Sequence, residues 1–163
     1  MSEDQHVQPI GGHIQRQHQE LQKLVRAIGH LFSHQPEGTS LGNFANEARH
    51  ALAELRHHLA EHFTQEEDGG YLEEAVARVP RLGTCVAMLE KQHPELLAEI
   101  DRVIACAAVQ PATAEQRQQI GADFARFARN LLRHEDIENR MLQEGFNDDL
   151  GMECDNPLAK DGT

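Results

Sequence analysis

The hydrophobic and polar positions of this chain follow the period of amphipathic α-helices. In residues 12–34, a core-type position recurs every three or four residues, and His18 occupies one place in the series Ile14, His18, Leu21, Val25, Ile28 and Phe32. Such spacing puts these side chains on one face of a helix. The pattern therefore predicts a first helix whose inward face includes a histidine.

Three later segments, 41–67, 81–109 and 114–144, show the same spacing, and each again includes histidine. The second series runs Phe44, Ala48, Ala51, Leu55, His58, His62 and Glu66. The third runs Leu82, Val86, Leu89, His93, Leu96 or Leu97, Ile100 and Ile104. The fourth runs Ile120, Phe124, Phe127, Leu131, His134, Glu138 and Met141. Four long helices are therefore predicted, each with histidine on its inward face.

Turn signals separate the predicted helices. Residues 35–40 contain Pro and Gly, and Thr113 stands three residues before Gln116, as in a capping box. A Gly-Gly pair ends the second helix, and residues 71–78 can form a short connecting helix before the third. Long helices joined by short connections predict an all-α fold, an up-down-up-down antiparallel four-helix bundle.

Domain organisation follows from the same boundaries. We place the bundle at residues 11–145, after a flexible leader at 1–10 and before a flexible acidic tail at 146–163. The alternating topology brings the four histidines to one level. His18 and His93 lie about 16 residues before the ends of their helices, whereas the other two lie about 20 residues after their helix starts. At 1.5 Å per residue these are heights of roughly 24 and 30 Å, about one helical turn apart.

A cluster of histidines and glutamates at one level predicts a metal site. His62 and Glu66, like His134 and Glu138, are four residues apart and so lie one turn apart on one helix face. Imidazole and carboxylate so placed can bind a transition-metal ion, and a carboxylate can bridge to a second ion. One histidine on an apolar face can be an ordinary core residue, but burying six polar groups without compensation is costly. The candidate ligands are His18, His62, Glu66, His93, His134 and Glu138, with His58 and Glu67 as further candidates.

Composition excludes several classes of function. The 163 residues suit one domain, and a net charge of −12 argues against a nucleic-acid or anionic-membrane surface, because phosphates require Lys and Arg. No apolar run approaches the roughly 20 residues that span a membrane. The three cysteines are odd in number and far apart, and we interpret them as reduced thiols in a cytoplasmic protein.

The histidine and carboxylate pattern resembles the hemerythrin-like, or HHE cation-binding, domain family over about residues 11–145. The resemblance is carried by His18 with Leu21, the string His62-Phe63-x-x-Glu66-Glu67, His93, and His134-x-x-x-Glu138. It implies a four-helix bundle that holds a non-haem di-iron centre. It further implies that His18, His62, His93 and His134 are terminal ligands and that Glu66 and Glu138 bridge two irons.

The resemblance also implies a function. Such a protein binds or senses dioxygen or a related small molecule such as peroxide or nitric oxide, or it handles iron; it holds two iron ions, or one, and zinc can substitute. The pattern favours binding over catalysis. Oxygen-carrying hemerythrins have a second histidine four residues after the one that matches His93, and here that position is Leu97. One metal would lose a protein ligand, and the open position suits a small molecule.

Two alternatives remain at this stage. A ferritin- or rubrerythrin-like di-iron oxidase or peroxidase uses Glu-x-x-His on two helices. Glu54 with His57 and Glu90 with His93 match that spacing, although Glu54 and His57 lie off the inward series. The other alternative is a metal-stabilised interaction module without gas chemistry, with which the acidic surface is compatible; the sequence identifies no protein partner.

Overall fold

In the computed structural model, the residues that are described are 10–34, 41–109 and 113–146, and they are almost entirely helical. The helices are α1 (Ile10–Ser33), α2 (Leu41–Asp68), α3 (Tyr71–Arg78), α4 (Gly83–Ala107) and α5 (Ala114–Phe146), with a 3₁₀ turn at Pro80–Leu82. These ranges contain no β-strand, so the all-α prediction is confirmed, as is the short connecting helix. Most of the predicted leader and tail, residues 1–9 and 147–163, lies outside the described residues.

The long helices pack as neighbours around a common core. Helix α1 contacts α2 and α5, and α4 also contacts α2 and α5. Five leucines of this core are fully buried: Leu52, Leu55, Leu59, Leu96 and Leu131. Burying a leucine side chain stabilises a fold by roughly 1.5–3 kcal/mol. This hydrophobic core joins all four long helices.

A second hydrophobic cluster holds the short helix α3 against the long ones. It includes Tyr71, Leu72 and Ala75 of α3, together with Ile14 and Met141. The contact between α3 and α5 is close, because a Cβ added at Gly145 would lie 2.8 Å from Cβ of Ala75. Glycine at this position therefore allows α3 to lie directly on α5.

Helix ends follow the predicted local chemistry. The Thr113 N–H donates to Gln116 Oε1 at 2.8 Å, and the Gln116 N–H donates to Thr113 Oγ1 at 3.1 Å. The capping box is therefore confirmed. Between α2 and α3, Gly70 adopts a φ of 71°, in the left-handed region that favours glycine. This residue allows the chain to reverse between α2 and α3.

The inward face of α2 corrects one prediction. The His58 side chain is 49% exposed, and Ala51 is only partly buried. Leu52 and Leu59, one position later in each case, are fully buried instead. At the edge of a helix stripe two adjacent positions compete for the interior, and a leucine removes more apolar surface from water than alanine or histidine does. The prediction that His58 lies on the inward face is therefore wrong.

Cysteine chemistry differs from the prediction as well. Cys85 is buried and disulfide-bonded, so the interpretation of all three cysteines as reduced thiols is wrong for this residue. Cys106 is free and exposed. Within the described part of the chain, no helix is both long and apolar enough to cross a membrane. The cytoplasmic location stays a prediction.

Candidate metal centre

All six principal candidate ligands are buried in one region. Helix α1 contributes one histidine, α4 contributes one, and α2 and α5 each contribute a histidine and a glutamate one turn later. Their relative exposures lie between 0% and 4%: His18 4%, His62 3%, Glu66 1%, His93 2%, His134 0% and Glu138 1%. The long helices therefore bring together side chains that are up to 120 residues apart in the sequence.

These side chains form two groups that could each hold a metal ion. The first group is His18, His62, Glu66 and Glu138, and the second is Glu66, His93 and His134. Within each group, one ligand atom from every residue lies within 4.8 Å of the others. Glu66 belongs to both groups, whereas Glu138 belongs only to the first. Glu66 is therefore the residue that the two groups share.

Glu66 directs one oxygen toward each group. Its Oε1 lies 2.5 Å from His62 Nε2 and 3.7 Å from His18 Nε2. Its Oε2 lies 3.1 Å from His93 Nε2. In the first group, Glu138 Oε2 lies 3.2 Å from His18 Nε2. A single carboxylate in this position can contact two cations at once.

Each histidine is oriented by an oxygen acceptor at its other ring nitrogen. The Nδ1 contacts are His18 with Asn139 Oδ1 at 3.2 Å, His62 with Gln17 Oε1 at 3.1 Å, His93 with Glu67 Oε1 at 2.8 Å and His134 with Gln92 Oε1 at 2.9 Å. An acceptor at Nδ1 holds a ring proton there, so that in the neutral imidazole the Nε2 lone pair is free. Metal-binding histidines are usually held in this way.

The atoms left without hydrogen bonds fit a metal ion. All four Nε2 atoms, both oxygens of Glu66 and Oε2 of Glu138 are buried and have no hydrogen-bond partner. A buried polar group without a partner costs about 1–3 kcal/mol, so several together are expensive. Imidazole nitrogen and carboxylate oxygen are donors that suit transition-metal ions. The residues present therefore fit a bound cation.

Electrostatics in the cluster are strong. Burial lowers the pKa of His18, but Glu138 and Glu66 outweigh this effect and raise it to about 10. Burial raises the pKa of Glu66, yet the imidazoles of His18, His62 and His93 beside it hold that pKa well below its usual range. Burial lowers the pKa of His134 to about 3, so this imidazole stays neutral. The carboxylates therefore favour positive charge beside them, and a cation can supply it.

Aromatic packing covers the second group. The ring of Phe63 stacks on the imidazole of His93, with centroids 4.1 Å apart and planes 9° apart. The same phenylalanine makes an edge contact with His134, at 5.5 Å between centroids, and is itself only 2% exposed. Phe63 therefore keeps water away from two candidate ligands.

Sequence reasoning missed Tyr71, which reaches the cluster from α3. Its hydroxyl donates a 2.7 Å hydrogen bond to Glu138 Oε1, and its side chain is buried. Burial, together with Glu138 and Glu66, raises the pKa of Tyr71, so the phenol stays protonated and remains a donor. Periodicity carries no signal for this contact, although Tyr71 directly follows the two glycines that end α2.

The two further candidates take other places. Glu67 is 50% exposed and contacts His93 at Nδ1, on the side of the ring that faces away from the cluster. His58 lies outside the cluster, 4.0 Å from Glu54 and 4.0 Å from Glu61. Leu97 occupies the position at which oxygen-carrying hemerythrins have a second histidine. It is partly buried and packs against the main core.

The ferritin-like alternative is not favoured by these positions. Glu54, His57 and Glu90 are exposed, so the two Glu-x-x-His pairs do not meet in the core. Only His93 of that set is buried. The residues that do converge are the histidines and carboxylates of the inward helix faces.

Fold and site together define a helical protein with buried histidine and glutamate groups that could hold a metal cation. A family model described as hemerythrin HHE cation binding domain matches residues 12–146, nearly the whole chain. The chain therefore belongs to this family. Comparisons with curated proteins and with solved structures found no match.

Proposed function

We propose that this chain binds two iron ions and uses them to bind or sense dioxygen or a related small molecule such as peroxide or nitric oxide. The observation that supports this most directly is the position of Glu66, whose two unpartnered oxygens face different histidines. Two neighbouring cation positions that share one carboxylate are what a di-iron centre requires.

The two groups define which residues would hold each ion. His18, His62, Glu66 and Glu138 would hold one, and Glu66, His93 and His134 would hold the other. Iron held by imidazole and carboxylate supplies reversible redox chemistry and coordination positions open to small ligands. The buried carboxylates offset positive charge, and Phe63 with the surrounding leucines excludes water.

The second group has fewer candidate protein ligands than the first, which supports a small-molecule binding position there. That group has three candidate ligands among the described residues, whereas the first has four. Leu97 lies one helical turn after His93 and offers no donor atom, so it adds no ligand on this side. We place the small molecule here. The proposed role is binding or sensing of the small molecule, rather than catalytic turnover.

We also propose that the four long helices alternate in direction, in an up-down-up-down order. Contacts between neighbouring helices support this, because their residue numbers run in opposite order. The supporting pairs are Arg56–Asp101 and Glu67–His93 between α2 and α4, and Gln22–Glu135 and His18–Asn139 between α1 and α5. Such an order places histidines of all four helices at one level.

The experiment that tests the function measures metal content per chain after anaerobic purification, followed by optical spectra before and after exposure to air. About two irons per chain, with absorption bands that change in air, are expected. His62→Ala and Glu138→Ala should lose metal and stability together, since metal binding is linked to folding.

A matched control is His57→Ala, which removes an exposed histidine from the same helix as His62 and should keep full metal content. No metal in the wild-type chain would refute the proposal. One zinc without any spectral response would favour the alternative of a metal-stabilised interaction module.

A further inference from the structure

A cavity of about 320 Å³ lies between α1 and α2 and reaches one of the candidate ligands. Its walls include Gln17, Glu20, Lys23, His58, Glu61 and His62. Five of these six side chains belong to residues that are exposed or partly exposed, whereas His62 is only 3% exposed. The cavity therefore connects the surface of the bundle to the edge of the buried cluster.

His62 separates the cavity from the buried carboxylates. Its Nε2 lies 2.5 Å from Glu66 Oε1 on the inner side, and its Nδ1 lies 3.1 Å from Gln17 Oε1 on the cavity side. The Gln17 amide in turn donates to the Gln65 side chain across the gap between α1 and α2. A rotation of these two glutamine side chains would free the outer side of the His62 ring.

The outer part of the cavity carries donors that suit a divalent cation. Glu20 of α1 and Glu61 of α2 supply carboxylates, and His58 supplies an exposed imidazole. Lys23 opposes them with one positive charge. The two carboxylates outnumber the one ammonium, so the charge of the cavity walls is negative and attracts cations. A cleft whose walls carry a net charge raises the association rate of oppositely charged ligands.

We propose that this cavity is the access path through which ferrous iron reaches the buried centre; the inference rests on the proposed iron-binding function. Glu20, Glu61 and His58 attract the ion at the surface. The contact between Gln17 and Gln65 limits passage, and His62 is the first of the buried ligands to meet the ion. His58 thus has a role in loading and none in the final centre.

The proposal predicts opposite rate changes for opposite charge changes. In anaerobic mixing of metal-free protein with ferrous ion at low salt, Glu20→Gln with Glu61→Gln should slow iron uptake by about threefold, and Lys23→Gln should speed it by a similar factor. Gln65→Ala should speed both uptake and chelator-driven release. None of these variants should change the final iron content, because none removes a residue of the two buried groups.

Matched controls remove the same charges elsewhere on the bundle. Glu47→Gln with Glu90→Gln removes two exposed carboxylates, and Lys91→Gln removes an exposed ammonium, all of them outside the cavity walls. These controls should leave the uptake rate nearly unchanged. Raising the ionic strength should reduce the difference between cavity variants and wild type.

Equal rates for the cavity pair and the control pair, with normal final iron content, would overturn the access path and leave the proposed function standing. Loss of iron content at equilibrium in Glu20→Gln with Glu61→Gln would also overturn it, because those residues would then be ligands of the final centre. A wild-type chain that binds no iron at all would remove both proposals.

Discussion

Tyr71 and Glu138 form a buried hydrogen bond that links the short helix α3 to the candidate metal centre, with 2.7 Å between the phenol oxygen and Glu138 Oε1. This bond occupies one carboxylate oxygen and leaves Oε2 facing His18. Tyr71 therefore holds Glu138 in the orientation that the first cation group requires. The same residue gives the centre a spectroscopic reporter, because it is the single tyrosine of a chain without tryptophan.

Ferrous or cobaltous ion should quench the tyrosine fluorescence of the metal-free protein. Emission comes from Tyr71 alone, and that side chain is bonded directly to a candidate ligand, so an open-shell ion at the first group lies close to it. A fluorescence titration measures the effect, with Zn²⁺ as a comparison ion expected to quench much less. Tyr71→Phe should abolish the emission while keeping most of the bound metal. Unchanged emission at full metal loading would place the ion away from Glu138.

Replacement of two adjacent glutamates should give very different losses of metal. Glu66 has both oxygens in the cluster, so Glu66→Gln should remove most metal from both groups. Glu67 contacts only the outer nitrogen of His93, so Glu67→Gln should keep the stoichiometry and weaken affinity about 10-fold. Metal content after dialysis and competition with a chelator measure both. Similar losses for the two variants would contradict the assignment of Glu66 as the shared ligand.

Metal-free protein should lose stability as the pH rises from about 7 to about 10. The pKa of His18 is raised from 6.5 to about 10 in the folded chain, and that of His93 is raised as well. The folded state therefore keeps protons that the unfolded state gives up in this window. The contribution of His18 to stability is fully present below pH 6.5 and is lost as the pH rises through about 10, at about 1.4 kcal/mol per pH unit. The raised pKa of His93 acts in the same direction.

Bound metal should remove this pH dependence, because an ion replaces the proton at Nε2. Denaturant unfolding at several pH values, with and without saturating metal, measures the difference. The pKa of Glu135 is raised to about 7, so this residue changes the stability mainly below pH 7 and adds little to the slope between pH 7 and 10. An equal slope in both forms would show that His18 does not bind the ion.

Leu97→His should restore a donor one turn after His93 and reduce small-molecule binding. Leu97 is partly buried beside the core and lies one helical turn after His93, so we expect the new imidazole to reach the second group and occupy the proposed small-molecule position. Titration of iron-loaded protein with nitric oxide or azide, followed by absorbance, should show weaker binding than in wild type. Leu97→Met conserves volume without adding a strong donor for iron and serves as the control. Equal binding in both variants would place the small molecule elsewhere.

Much of the site could be predicted from the sequence because helix periodicity is local. The intervals between His62 and Glu66, and between His134 and Glu138, are one helical turn, so any helix puts each pair on one face. Turn residues at known positions then imply that the long helices lie side by side. The inward series of the four helices then predict the burial of six polar residues, and the structure buries all six in two adjoining groups.

Helix periodicity gave a wrong prediction of burial where either of two adjacent residues could face the core. Both His58 and Leu59 lie near the edge of the inward stripe of α2, and apolar burial favoured the leucine. The hydrophobic pattern also could not predict which oxygen atoms accept the hydrogen bonds at the Nδ1 atoms of the histidines. Gln17 stands beside His18 in the sequence but contacts His62, because the contact depends on how α1 and α2 are packed.

The sequence by itself determined the helices, their inward faces and the set of candidate ligands, because these depend on spacing along a single helix. Only the tertiary structure decided that Glu66 joins both groups, that Glu138 joins one, and that Tyr71 holds Glu138 in place. Each of these depends on the rotation and height of one helix relative to another. The packing of the whole core sets the relative rotation and height of the helices, and these cannot be predicted from a local pattern along the chain.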